Sequence, residues 1–175
     1  MNTANKLTLL RVLLIPVFLV VLYLPFPFHM VYALAIFILA SVTDFIDGYV
    51  ARHYNQITDF GKFMDPLADK MLVMAALLWF VEVGRLPAWA LLIVVVREFA
   101  VTGLRLIAVE RGRVIAAAWS GKIKTASTMV CICLMLVFQA PVLDGACTGL
   151  ILATTVYSGI EYFVKNKDVI DWSKL

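Results

Sequence analysis

The sequence predicts an all-α membrane protein, an integral bundle of six transmembrane helices. Its 175 residues are 63% hydrophobic and 15% charged, with a mean hydropathy of +0.94. Soluble domains are closer to half apolar and a quarter charged. A spanning helix needs about 20 mostly apolar residues. Six segments meet that requirement, at roughly 5–24, 30–53, 61–83, 87–111, 120–139 and 147–165.

The stretches between these segments carry turn signals, and nothing divides the chain further. Proline or glycine interrupts LPFPF, EVGRLP, ERGR and QAPVLDGA, which follow the first, third, fourth and fifth segments. The sequence shows no internal repeat, low-complexity tract or linker. We therefore expect residues 1–175 to form a single membrane domain.

The basic residues predict the orientation of the bundle. With six helices, both termini lie on one side of the membrane together with the 2–3 and 4–5 connections. That side would hold all of the 15 Lys and Arg residues except Arg85, which marks it as cytoplasmic. We expect a multi-pass protein of the cell membrane whose basic cytoplasmic face suits anionic headgroups or phosphates. A nucleic-acid partner is not expected.

Two aspartates end the second segment, in the stretch TDFIDGYVAR, and two more lie near the start of the third. At 100° per residue, Asp44 and Asp47 share one helical stripe, and Asp65 and Asp69 share another. Because a short connection makes the two helices antiparallel neighbours, four carboxylates would meet at their cytoplasmic ends. Salt bridges would explain any one of these aspartates; the nearby basic residues are Arg52, Lys62 and Lys70.

Four carboxylates in one small volume repel one another unless they are protonated or neutralised. Two divalent cations would cancel the four charges, and carboxylate oxygens suit Mg²⁺ or Mn²⁺. Paired metals usually clamp phosphate oxygens during displacement at phosphorus. Gly48, Ala51 and Gly61 lie on the same stripes and leave room for a ligand, although close helix packing favours the same small residues.

Together these positions spell one continuous pattern, and the chain resembles the CDP-alcohol phosphatidyltransferase family. The pattern matches the family signature without a gap or substitution and reads Asp44-x2-Asp47-Gly48-x2-Ala51-Arg52-x8-Gly61-x3-Asp65-x3-Asp69. Eight fixed positions in one spacing make the signal specific. The resemblance implies transfer of a phosphatidyl group from CDP-diacylglycerol to an alcohol, with release of CMP.

The resemblance also implies a role for each residue. Two metal ions, Mg²⁺ or Mn²⁺, would occupy each active site. The first would be held by Asp44, Asp47 and Asp65, and the second by Asp44, Asp65 and Asp69. Asp69 would also be the general base. The donor-binding residues would be Gly48, Ala51, Arg52, Thr58 and Gly61. A homodimer is expected from the family.

The acceptor is interpreted from the stretches NKLTLLRVLLIP and VREFAVTGLRLIAVERGRVIAAAWSGKIKT, which are most similar to the bacterial branch of the family that makes phosphatidylglycerophosphate. The acceptor of that branch is sn-glycerol 3-phosphate. Its phosphate would bind to four basic residues toward the cytoplasmic ends of helices 4 and 5: Arg97, Arg105, Lys122 and Lys124. Lys122 and Lys124 point to different sides of a helix, so at most one of them is expected in the pocket.

Other functions remain open from the sequence. A transferase of the same family could use inositol phosphate, serine or phosphatidylglycerol. A divalent-cation transporter also needs intramembrane carboxylates, but it would distribute them along a route through the bilayer. Here the four aspartates gather at one end. A noncatalytic lipid-binding scaffold explains the basic face but not the spacing of the aspartates.

Overall fold

The computed structural model describes residues 3–53, 59–116 and 118–169. At positions 3–7, 44–53, 59–63, 65, 66 and 69 it describes the helical backbone and not the side chain. Thr58, a predicted donor contact, lies outside the described residues.

The described part of the chain consists of six α-helices and one 3-10 turn, with no strand. The prediction of an all-α fold is therefore confirmed. The helices are α1 (Thr3–Tyr23), α2 (His29–His53), α3 (Asp59–Glu82), α4 (Ala88–Glu110), α5 (Trp119–Val137) and α6 (Pro141–Lys165), followed by the 3-10 turn Lys167–Val169.

Five of the six helices begin and end within a few residues of the predicted segments, and α6 differs most. It begins at Pro141 instead of near residue 147. Proline is favoured in the first helical turn because its fixed φ suits the helix and its missing N–H has no partner there in any case. The helix consequently includes Asp144, which the sequence had suggested was part of a loop.

The chain divides into two compact units. The first unit holds Met1–Glu82 with Leu136–Phe138, and the second holds the remainder. In the first unit, α1 packs against both α2 and α3, and α2 also contacts α3. Phe18 of α1 and Phe37 of α2 are buried, with ring centroids 5.9 Å apart. Tyr23, at the end of α1, donates a hydrogen bond to Glu82, at the end of α3.

The second unit is organised around the contact between α4 and α6. Its apolar core contains Val101, Leu104 and Ala108 of α4, together with Tyr162 and Val169. At the start of α6, Asp144 accepts two hydrogen bonds from Arg85, at 2.9 Å from Nε and 2.6 Å from Nη2. This two-pronged ion pair ties the segment before α4 to the first turn of α6.

Among the described residues, α5 and α6 are long and apolar enough to cross a membrane, judged by length and composition alone. In the most apolar 18 residues of each helix, only 39% of α5 and 33% of α6 is buried. The core helix of a soluble protein, by contrast, is mostly buried. In α1 and α2 the described side chains cover only the apolar stretches Thr8–Tyr23 and His29–Thr43, so the full length of these two helices is not compared in this way. In α4, any 18 consecutive residues include the three charged residues Arg97, Glu98 and Arg105. Because of these charges, α4 is not counted with α5 and α6 as an apolar candidate span.

Candidate active site

The four aspartates lie on the helices that the sequence predicted for them. Asp44 and Asp47 are three residues apart on α2, and Asp65 and Asp69 are four apart on α3. Residues at these separations share one face of an α-helix. Both helices belong to the first unit and contact each other. The side chains of the four aspartates lie outside the described residues, so their convergence stays a prediction.

The predicted donor contacts occupy the adjoining helix ends. Gly48, Ala51 and Arg52 fall in the last two turns of α2, and Gly61 falls in the first turn of α3. Their side-chain surroundings, like those of the aspartates, are not among the described parts of the chain. The backbone therefore supports their helical register, and their contacts with a nucleotide stay a prediction.

The residues present suit a divalent cation by the chemistry of their donor atoms. Within the described side chains there is no group of three or more His, Cys, Asp or Glu residues that could hold a metal. The four aspartates at positions 44, 47, 65 and 69 lie outside that set. They offer only hard carboxylate oxygens, which Mg²⁺ and Mn²⁺ prefer over nitrogen or sulfur ligands.

The first unit also buries a cation on α1. Arg11 has no solvent-exposed surface, although the helix carries it in an otherwise apolar stretch. The helices that α1 packs against are α2 and α3, which carry the four aspartates. The structure therefore places a buried positive charge on the helix that packs against both aspartate-bearing helices.

In the second unit, a cluster of Arg97, Glu98 and Lys124 joins α4 to α5. The Oε1 atom of Glu98 accepts a hydrogen bond from Nη1 of Arg97 at 3.0 Å and another from Nζ of Lys124. The three side chains are 13%, 13% and 7% exposed, respectively. Two predicted phosphate ligands are thus brought to a single carboxylate oxygen.

Glycines on two neighbouring helices make room for Arg97. A Cβ built on Gly159 of α6 would lie 3.2 Å from Cγ of Arg97, and one built on Gly121 of α5 would lie 3.6 Å from its Nη2. The aliphatic part of the Arg97 side chain therefore passes beside Gly159, and its guanidinium group lies beside Gly121. The Nε atom of Arg97 is buried and has no hydrogen-bond partner among the described residues.

Arg105 lies apart from this cluster and is held by α6. Its Nε atom donates a hydrogen bond of 2.8 Å to the hydroxyl of Tyr162, and its guanidinium carbon lies 5.4 Å from the centre of the same ring. Arg105 follows Arg97 by eight residues, about 12 Å along the helix axis at 1.5 Å per residue. The two arginines therefore occupy different levels of α4.

Lys122 also diverges from the cluster. Its side chain is exposed, and its ammonium group lies 5.0 Å from the centre of the Trp119 ring. Lys124, two residues later, is buried. Of the four predicted phosphate ligands, the structure joins Arg97 and Lys124 and separates Arg105 and Lys122 from them.

Two residues of this region were not singled out as site residues from the sequence. Glu98 is next to Arg97, but it meets Lys124 across 26 residues of sequence. Tyr162 meets Arg105 across 57. The adjacent charges at positions 97 and 98 in an apolar stretch were a visible signal for Glu98, whereas nothing local identified Tyr162.

Comparisons with known proteins agree on one family. The family model described as CDP-alcohol phosphatidyltransferase matches residues 1–160, a range that contains every predicted site residue. The chain is 42% identical to the CDP-diacylglycerol–glycerol-3-phosphate 3-phosphatidyltransferase of Bacillus subtilis, over 98% of each chain. It is 41% identical to a probable phosphatidylglycerophosphate synthase of Mycobacterium tuberculosis, over 94% of this chain and 81% of that protein. It is also 41% identical to the 3-phosphatidyltransferase of Escherichia coli, over 77% of this chain and 76% of that protein.

Proposed function

Because the chain belongs to the CDP-alcohol phosphatidyltransferase family, we propose that it transfers the phosphatidyl group of CDP-diacylglycerol to sn-glycerol 3-phosphate. The products are phosphatidylglycerophosphate and CMP, in a step of phospholipid biosynthesis. The observation that carries this proposal is the 42% identity, over 98% of both chains, to the Bacillus subtilis protein whose name states that reaction.

The reaction forms a bond between an acceptor hydroxyl oxygen and the phosphorus of the phosphatidyl group. The bond from that phosphorus to the departing CMP oxygen breaks. Asp69 takes the hydroxyl proton as general base, since a carboxylate within reach of the attacking oxygen is suited to that role. Gly48, Arg52 and Thr58 hold the nucleotide end of the donor, while Ala51 and Gly61 leave space for it. Arg52 provides a forked donor for phosphate oxygens.

The aspartates provide the ligands for two divalent cations, Mg²⁺ or Mn²⁺. Asp44, Asp47 and Asp65 would hold one cation, and Asp44, Asp65 and Asp69 the other. When bound, such cations would supply positive charge that neutralises the donor's diphosphate. What supports this assignment is the donor set, four carboxylates at helical spacings of three and four residues on two helices in contact.

The acceptor phosphate is assigned to the second unit. Arg97 and Lys124 are both cationic, and their charged groups lie within reach of one oxygen of Glu98. Arg105, oriented by Tyr162, and the exposed Lys122 are proposed as further basic groups around the acceptor. A cationic pair of this kind suits a phosphorylated alcohol better than a neutral one.

The setting proposed for this reaction is the cytoplasmic face of the cell membrane. Six helices span the bilayer, both termini are cytoplasmic, and residues 1–175 act as one domain that forms a homodimer. The charge asymmetry supports this topology, since only Arg85 of the 15 basic residues falls on the other side. The length of α4 is also sufficient: its 23 residues extend about 34 Å, compared with about 30 Å of hydrocarbon. Its charges at positions 97, 98 and 105 have partners within the protein.

An acceptor panel tests the proposal. The purified protein in detergent receives CDP-diacylglycerol, Mg²⁺ and one alcohol at a time, and CMP release is measured. The panel contains glycerol 3-phosphate, glycerol, inositol phosphate, serine and phosphatidylglycerol. CMP release with glycerol 3-phosphate alone is expected. Release only with another alcohol would retain the family chemistry and contradict the proposed acceptor.

A further inference from the structure

We propose that Glu98 is a positioning residue for the acceptor, and that its carboxylate assembles Arg97 and Lys124 into one phosphate-binding pair. The inference rests on the proposed function, because it assigns a specificity role within that reaction. Its structural basis is the single oxygen, Oε1, that accepts hydrogen bonds from cations on two different helices, α4 and α5.

Without the carboxylate, the two cations would repel each other. Both are largely buried, and repulsion between like charges is stronger in a poorly hydrated interior than in water. The negative charge of Glu98 lies between the positive charges of Arg97 and Lys124, so it makes the close approach of these two cations favourable. The cluster keeps a net charge of +1, counted from Arg97, Lys124 and Glu98, so it remains attractive to a phosphate.

The hydrogen bonds to Glu98 leave other N–H groups of Arg97 and Lys124 available for a ligand. A guanidinium has five N–H groups and an ammonium has three. Glu98 takes one from each cation at Oε1. The Nε–H of Arg97 has no partner among the described residues although it is buried. Orienting both cations before the ligand arrives reduces the entropy lost on binding.

The surrounding helices fix this arrangement. Gly121 and Gly159 let Arg97 pass where a larger residue would contact it. Lys124 is held within α5 with only 7% of its side chain exposed. Because neither cation is a flexible surface residue, we infer that the cluster discriminates by geometry. It favours an alcohol that carries a phosphate, and it disfavours glycerol, which would leave the buried donors unsatisfied.

The variants Glu98→Gln and Glu98→Asp test the inference. Glu98→Gln keeps the size and the oxygen but removes the charge, so the two cations separate. We expect the KM for glycerol 3-phosphate to rise about tenfold, the effect of losing a charge-assisted interaction of about 1.4 kcal/mol, while the KM for CDP-diacylglycerol is unchanged. Glu98→Asp restores the charge on a shorter stem and should recover part of the loss. Asp144→Asn is the matched control, because it removes a largely buried paired carboxylate of the same unit and should leave both KM values unchanged.

A second readout needs no turnover. Glycerol 3-phosphate should raise the melting temperature of the wild type and of Asp144→Asn, and it should raise that of Glu98→Gln much less. Equal stabilisation of all three proteins, or an equal change of the donor and acceptor KM values in Glu98→Gln, would make Glu98 a purely structural residue and overturn the inference. A wild type that turns over only with an unphosphorylated alcohol would instead contradict the proposed function.

Discussion

The Cγ atom of Arg97 lies 3.2 Å from the point that a Cβ on Gly159 would occupy. This distance is shorter than ordinary carbon–carbon contact, so an added methyl group would displace the arginine stem. The position of the guanidinium near α5 therefore depends on a missing side chain on α6. A small residue on a helix is usually explained by helix packing; Gly159 also accommodates a cation of the proposed acceptor site.

Gly159→Ala should weaken acceptor binding while leaving the donor site intact. Displacing Arg97 by a few tenths of an ångström should raise the KM for glycerol 3-phosphate by about threefold, since site geometry is sensitive to such shifts. Gly149→Ala is the control, because it changes the same helix at a position where an added Cβ would meet nothing within 4 Å. Steady-state kinetics of both variants provide the measurement. Identical KM values for glycerol 3-phosphate in the two variants would show that the space beside Gly159 has no functional consequence.

Asp69→Asn should abolish turnover and preserve donor binding. An amide cannot take the proton of the attacking hydroxyl, and the loss of general-base catalysis costs about 10²–10⁴ in rate. Asp168→Asn is the control, because Asp168 pairs with Arg113 on the surface of the second unit and has no assigned role. CMP release and CDP-diacylglycerol binding should be measured on the same preparations. Near-normal turnover in Asp69→Asn would exclude it as the base.

Arg105→Ala should raise the KM for glycerol 3-phosphate more than the KM for the donor. Tyr162→Phe should act in the same direction but less strongly, by about twofold to threefold, because it removes one hydrogen bond to Arg105 and keeps the ring. Arg111→Ala, an exposed change at the end of the same helix, serves as the control. A proportional change of both KM values would assign Arg105 a structural role.

Asp144→Asn should lower stability without changing either KM. It removes the charge from a two-pronged ion pair whose partners are 15% and 11% exposed, and charge-assisted hydrogen bonds contribute about 1.5–3 kcal/mol. Glu161→Gln is the comparison, since its pair with Lys165 is a solvent-exposed pair within one helix, and such pairs contribute little. Thermal unfolding in detergent should show a clear decrease for the first variant and almost none for the second. Equal decreases would contradict the importance of the Arg85–Asp144 pair.

The helices could be predicted from the sequence because each depends on a local run of apolar residues between proline and glycine signals. The start of α6 was the exception. QAPVLDGA resembles a loop by composition, but Pro141 occupies the first turn of the helix and Asp144 finds a partner in Arg85, 59 residues away. The same residue types are common in loops and in the first turn of a helix. Here the two possibilities are distinguished by a contact distant in sequence, the one between Arg85 and Asp144.

The predicted metal ligands and the predicted phosphate ligands differ in how far local reasoning reaches. The aspartates are close in sequence on each helix, so helical periodicity is enough to place them on common faces. The proposed phosphate-binding cluster depends on which residues of α4 and α5 meet. That depends on packing, so the sequence identified Arg97 and Lys124 as candidates but not the carboxylate that joins them. It also grouped Arg105 and Lys122 with them, whereas Arg105 is held by Tyr162 and Lys122 lies over Trp119.

We propose above all that the protein catalyses a metal-dependent transfer of the phosphatidyl group to glycerol 3-phosphate. The most direct test is to measure both products, CMP and phosphatidylglycerophosphate, from one reaction of the purified protein with CDP-diacylglycerol and glycerol 3-phosphate. We expect equal amounts of the two products in the presence of Mg²⁺, loss of both with EDTA, and recovery of both when Mg²⁺ is restored. CMP without phosphatidylglycerophosphate, or equal product formation in EDTA, would contradict a metal-dependent transfer to glycerol 3-phosphate.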